Sequence, residues 1–115
     1  MTTPGSTHPD LPATIREFLA AHAARDVGAA VRAFTPDAVV VDDGRTYRGT
    51  DEVRTFLSTA GSEFTFTTTL TGVRRTGDGW VASHRLEGDF PGGVVDLEYR
   101  FTMAGDLVAG LVVAP

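Results

Sequence analysis

Apolar positions along this chain fall into two rhythms. Leu11, Ile15, Phe18, Leu19 and His22 recur at helical spacing, with Arg16, Glu17 and Arg25 mostly elsewhere on the wheel. Pro12 suits a first helical turn, so the spacing predicts a helix over Pro12–Arg25. Asp26 is placed to cap a second, short helix carrying Val27, Ala30, Val31 and Phe34, which Pro36 should stop. Ala38–Val41 is short and β-branched and reads as a strand. Asp43-Gly44 is a hairpin signal, and Arg45–Arg48 returns as a second strand that Gly49 breaks. Thr50 is expected to cap a third helix. That helix carries Val53, Phe56 and Leu57 on one face and Asp51 and Glu52 in its first turn, with Ala60-Gly61 at its end.

Beyond Gly61 the period shortens to two. Phe64–Thr71, Trp80–Glu87, Val94–Met103 and Leu107–Val113 read as four long strands, and their short connections predict an antiparallel meander. Helix, helix, strand pair, helix and four strands make an α+β fold, a strongly curved antiparallel sheet with three N-terminal helices on its concave face. Residues 11–115 are expected to form one domain behind a flexible tail, residues 1–10.

Alternation also sorts the faces. Trp80, Ala82, His84 and Leu86 share one face of their strand, against Val81, Ser83, Arg85 and Glu87. Val95, Leu97, Tyr99, Phe101 and Met103 form the inward set of the next strand. Asp96, Glu98, Arg100 and Thr102 form a charged outer set, suited to solvent or to a dimer contact.

Composition narrows the chemistry. There is no cysteine, which excludes disulfides, thiolate metal sites and Cys nucleophiles. Lys is absent as well, so all ten basic residues are Arg and Schiff-base chemistry is excluded. Asn and Gln are also missing, so a ligand carbonyl must be met by Arg, His, Tyr, Trp, Ser, Thr, a protonated acid or the backbone. A net charge of −5 gives no support for nucleic-acid or anionic-membrane partners. The start of the chain lacks a signal-peptide pattern and no window reaches membrane-span length, so cytoplasmic residence is the expectation. The three His residues lack paired ligand spacing, and neither a metal nor a cofactor is expected.

The run Phe34-Thr-Pro-Asp-Ala-Val-Val-Val-Asp-Asp-Gly-Arg-Thr-Tyr-Arg-Gly49, followed by Asp51-Glu-Val-Arg-Thr-Phe-Leu57, resembles the SnoaL-like group of the nuclear transport factor 2-like superfamily. The resemblance spans about Leu11 to Pro115. It implies a cone-shaped fold around one apolar pocket, and often a homodimer through the outer sheet face. Ketosteroid isomerase, polyketide cyclases, scytalone dehydratase and limonene epoxide hydrolase share that superfamily, so the likeness is specific for fold and weak for activity. Matched to ketosteroid isomerase, Asp42 takes the general-base position. Phe18 and Leu97 stand where its two oxyanion donors stand, which argues against steroid isomerisation by that route. The Asp-Arg-Asp set of limonene epoxide hydrolase relies on an Asn this chain lacks.

Asp42 and His84 are therefore the candidate catalytic residues. Asp42 follows Val39-Val40-Val41 at the expected cavity mouth, where apolar surroundings favour a more basic carboxylate; the alternative is a turn-shaping Asp. His84 lies among inward apolar neighbours, as a general acid, a donor to a ligand carbonyl, a partner for Asp42 or a structural His. Phe18, His22, Phe56, Phe64, Phe66, Trp80, Leu97 and Tyr99 are the candidate ligand-binding residues, an apolar and partly aromatic lining. Gly110 is expected to leave room on the sheet for the cavity. Two functions remain open. One is acid–base catalysis, of isomerase, cyclase or dehydratase type, on a small hydrophobic polyketide- or terpenoid-like molecule. The other is a non-catalytic ligand-binding or dimeric interaction domain.

Overall fold

A computed structural model describes residues 11–60 and 62–115. The expected tail, residues 1–10, and Gly61 lie outside the described residues. The elements are α1 (Ala13–Ala23), α2 (Val27–Val31), β1 (Phe34–Asp42), β2 (Arg45–Arg48), α3 (Gly49–Thr59), β3 (Phe66–Arg75), β4 (Gly79–Gly88), β5 (Val94–Ala104) and β6 (Leu107–Ala114). All six strands join one sheet in the order β2-β1-β6-β5-β4-β3. The predicted meander runs from β3 to β6, each pair antiparallel. β1 then pairs parallel with β6, a pairing that the local pattern did not announce. The sheet curves without closing, and three helices cover part of its concave face.

Local chemistry explains most boundaries. Asp26 caps α2, its carboxylate accepting the Ala29 N–H at 3.1 Å. Asp43 and Gly44 take φ of 53° and 76°, the left-handed pair that a tight hairpin between β1 and β2 requires.

Several boundaries depart from the sequence reading: Phe34, expected on α2, opens β1, and β3 begins at Phe66 and runs on to Arg75, past the expected Thr71. Pro36 does not stop α2, which ends at Val31; it lies inside β1. The β1–β6 register shifts between Phe34 and Val39, so Pro36 occupies an irregular stretch where a missing N–H is tolerated. Thr50 does not cap α3. The helix turns in at Gly49, φ 81°, and the Arg48 N–H donates to Oε1 of Glu52 at 2.8 Å. The N-terminal end is thus satisfied by a glutamate reaching back from one turn inside the helix.

The core lies between the helices and the β1, β6, β5 part of the sheet. Ile15 and Phe18 of α1 and Val53, Phe56 and Leu57 of α3 meet Val40, Phe101, Val108 and Leu111, all essentially buried. Phe18 contacts Phe34 and Phe101 edge to face, with ring centroids 5.3 and 5.8 Å apart. On the outer face Arg85 pairs with Asp96 and Arg100 with Glu98, both in solvent and each worth little to stability. Gly110 belongs to this outer face. A Cβ there would meet Thr102 at 3.5 Å, so its missing side chain does not enlarge the cavity. The reason is a register shift between Thr102 and Met103, which places Gly110 opposite outward Thr102.

Candidate functional site

Asp42 ends β1, opposite Arg45 of β2 and Val113 of β6, one residue before the hairpin turn. Its side chain lines a chamber of about 340 Å³ whose other walls include Phe56, Leu86, Val95, Leu97 and Val113. Burial, with Asp43 beside it, raises its carboxyl above the ordinary 3.8. Asp43 sits in the turn, as the hairpin requires.

Tyr99 reaches the same chamber from β5. Burial pushes its phenol up to about 12, and the Asp42 charge adds to the shift. The phenol therefore stays protonated at neutral pH and is a standing hydrogen-bond donor. His22, on the last turn of α1, is the third polar group of this chamber. Its ring stacks on Phe18 at 5.5 Å and near Phe56 at 6.1 Å. Burial pulls it down to about 4, with Arg25 and His84 contributing, so it is neutral at pH 7.

A second chamber of about 250 Å³ shares His22, Ala60, Phe64, Phe66 and Tyr99 with the first. It adds Arg25, Thr65, Thr68 and His84. His84 is buried, its ring centroid 4.8 Å from that of Tyr99. It lines the second chamber and not the one that holds Asp42. Tyr99 and His22 thus stand between the two residues that sequence reasoning paired.

The remaining candidates separate. Phe56 and Leu97 line the first chamber; Phe64 and Phe66 line both. Phe18 lines neither: it is a core residue beneath His22. Trp80 also lines neither. It sits at the other end of β4 in a surface groove with Arg75, whose guanidinium lies 5.4 Å from its ring centre. Alternation gave its face correctly, but β4 is long and its first residues lie beyond the chambers. Several lining residues were missed. Val95 belonged to the inward set of β5 and was passed over. Phe90 and Pro91 come from the β4–β5 loop, where periodicity gives no signal. Among the described residues no group of three or more His, Cys, Asp or Glu is placed to hold a metal. No helix among them is long and apolar enough to cross a membrane.

The profile of the SnoaL-like domain matches residues 15–113, nearly the whole chain. The chain belongs to the SnoaL-like domain family. Solved structures agree on the fold of this SnoaL-like protein. A Sinorhizobium meliloti protein provisionally assigned as a polyketide cyclase is similar at 27% identity and TM-score 0.85, over 92% of this chain and 97% of its own. A Catenulispora acidiphila protein with a ketosteroid isomerase-like fold, solved with trimethylamine, is similar at 18% identity and TM-score 0.78, over 91% of this chain and 86% of its own. A computationally designed 17-OHP binder is similar at 16% identity and TM-score 0.71, over 89% of each chain. No curated protein matches the SnoaL-like chain.

Proposed function

We propose that this SnoaL-like protein is an acid–base catalyst acting on a small hydrophobic, polyketide- or terpenoid-like carbonyl compound. One observation carries the reading: a carboxylate of raised pKa and a protonated phenol line the same apolar chamber. Asp42 takes a proton from the carbon beside the carbonyl. The Tyr99 O–H donates to the oxygen on which negative charge develops. Asp42, now the acid, returns the proton to a different carbon. Neutral His22 is a second donor to that oxygen. His84 acts from the second chamber through its packing on Tyr99. The protein works in the cytoplasm as a homodimer through the outer sheet face, without metal or cofactor.

The test is a screen of small enolisable ketones and polyketide analogues, read as deuterium exchange at the α-carbon by NMR. Asp42→Asn should slow exchange by roughly 10²–10⁴ and still bind the ligand. Equal rates in the two proteins would remove Asp42 as the base.

A second reading, a non-catalytic ligand-binding domain, is favoured by Phe18 and Leu97. Both are apolar where the ketosteroid isomerase pattern supplies oxyanion donors. Tight binding with no exchange in any compound of the screen would establish it.

A further inference from the structure

The charges of the two chambers are divided. Among their described lining residues, Asp42 is the carboxylate of the first and Arg25 the guanidinium of the second. Arg25 is held there by an unusual backbone. The Arg25 N–H donates to the His22 carbonyl at 3.1 Å and the Asp26 N–H to the Ala21 carbonyl at 2.8 Å, the paired bonds of a Schellman motif closing α1. That motif puts its residue after the C-cap in the left-handed region, which is normally given to glycine. Here the residue is arginine, at φ 61°. A side chain kept at a strained position that glycine would fill better points to a use for the side chain.

Its guanidinium is directed at the chamber wall. Nη1 donates to the Ala60 carbonyl at 2.8 Å, and Cζ lies 5.7 Å from the centre of the Phe66 ring. Ala60 and Phe66 both line the two chambers. Thr65 and Thr68 also line the second chamber. The second chamber is thus the cationic end of a cavity whose first chamber surrounds Asp42 with mostly aromatic and aliphatic walls.

We propose that the ligand is an apolar acid, its hydrophobic body in the first chamber and its carboxylate in the second, held by Arg25. The proposal rests on the pocket reading above and names its substrate class: a hydrophobic keto acid rather than a neutral ketone. A planar guanidinium can meet both oxygens of a carboxylate, a geometry that an ammonium cannot reproduce. The same anchor fixes orientation, because the acid end at Arg25 sends the rest of the molecule past Tyr99 towards Asp42.

The experiment is calorimetric titration of the whole protein with 2-naphthylacetate and with its neutral methyl ester, at low and high salt. The acid should bind roughly tenfold tighter than the ester, and the preference should shrink at high salt. Arg25→Gly should bind both alike and fold at least as well, since glycine favours that φ. If Arg25→Gly does not fold, Arg25→Asn keeps the left-handed backbone and takes its place. Arg25→Lys should keep part of the preference. Equal affinity for acid and ester in the wild type, or a preference that survives in Arg25→Gly, overturns the anchor and leaves the pocket reading standing. Binding of neither probe overturns both.

Discussion

The two ends of β5 carry the same alternation and meet opposite fates. At one end Phe101 is 2% exposed and packs edge to face on Phe18. At the other, Val95 and Leu97 face a hollow. Geometry accounts for the difference. β5 and α1 are both 11 residues long. A strand rises about 3.3 Å per residue and a helix 1.5 Å, so α1 spans less than half the length of β5 even if laid along it. After the Schellman turn at Arg25 the chain continues in α2, which packs on α1 and α3 and adds no cover beyond the end of α1. One half of the concave face is therefore packed and the other half left open, and the chemistry collects at the boundary, where His22 and Tyr99 sit. Inward alternation shows which residues face the helices; it does not show whether a helix reaches them.

Truncation at the two ends should separate them most. Phe101→Ala opens a void among well-packed neighbours and should cost about 3–5 kcal/mol. Leu97→Ala widens a space already open and should cost about 1 kcal/mol, because few packed contacts are lost. Urea unfolding of both variants measures the contrast. Similar losses at the two positions would mean that the hollow closes in solution.

Tyr99 tests the chemistry at the boundary. Tyr99→Phe should slow α-proton exchange by roughly 10² while leaving the fold intact, since one oxyanion donor is removed and the ring remains. In absorbance titration a phenol should ionise near 12, and that step should vanish in Tyr99→Phe. In Asp42→Asn the step should move back towards 10.0, because the Asp42 charge is the lesser of its two causes. A full complement of tyrosine ionising at 10.0 in the folded protein would place Tyr99 in solvent.

His22 makes the boundary visible as pH dependence. Its folded pKa of about 4 lies below the ordinary 6.5, so between those values the unfolded chain holds the extra proton. Stability should therefore fall as pH drops from 6.5 to about 4 and stay lower beneath, by about 3 kcal/mol in all. Asp42 acts in the opposite direction: its raised pKa means that stability is lost as pH rises from 3.8 through the folded value. His22→Phe should flatten the first slope and Asp42→Asn the second, in denaturant midpoints measured across that range. An unchanged slope in His22→Phe would mean that the imidazole is solvated.

What could be read in the sequence follows the range of the interaction involved. Asp26 as a cap, Asp43-Gly44 as a hairpin and the β3 to β6 meander depend on neighbours in the chain, and all three appear in the structure. The family, too, was legible in Phe34–Gly49, because that run combines a strand, a turn and a helix start. Asp42 and Tyr99 were singled out from a strand end and a polar tip on an apolar face, and the structure brings them to one chamber. The parallel pairing of β1 with β6, the separation of Asp42 from His84 and the loop wall of Phe90 and Pro91 depend on residues far apart in sequence. Arg25 left a weaker trace: it stands directly before the cap Asp26, where a glycine would usually close α1.

Gly110 gives the smallest effect and isolates the face. The sequence reading expected Gly110 to leave room for the cavity; the register shift beside Thr102 places its missing side chain on the outside. An added methyl group would lie 3.5 Å from the Thr102 Cβ, an ordinary contact, and no positive φ opposes it. Gly110→Ala should therefore stabilise the fold by about 0.5 kcal/mol, chiefly by restricting the unfolded chain. It should leave the affinity for a cavity ligand unchanged. Thermal unfolding and one ligand titration suffice to check both. A loss of affinity would mean that the sheet's outer face and its cavity are coupled through β6, which also carries Val113 beside Asp42. An unchanged affinity would confine the ligand's influence to the hollow half of the concave face.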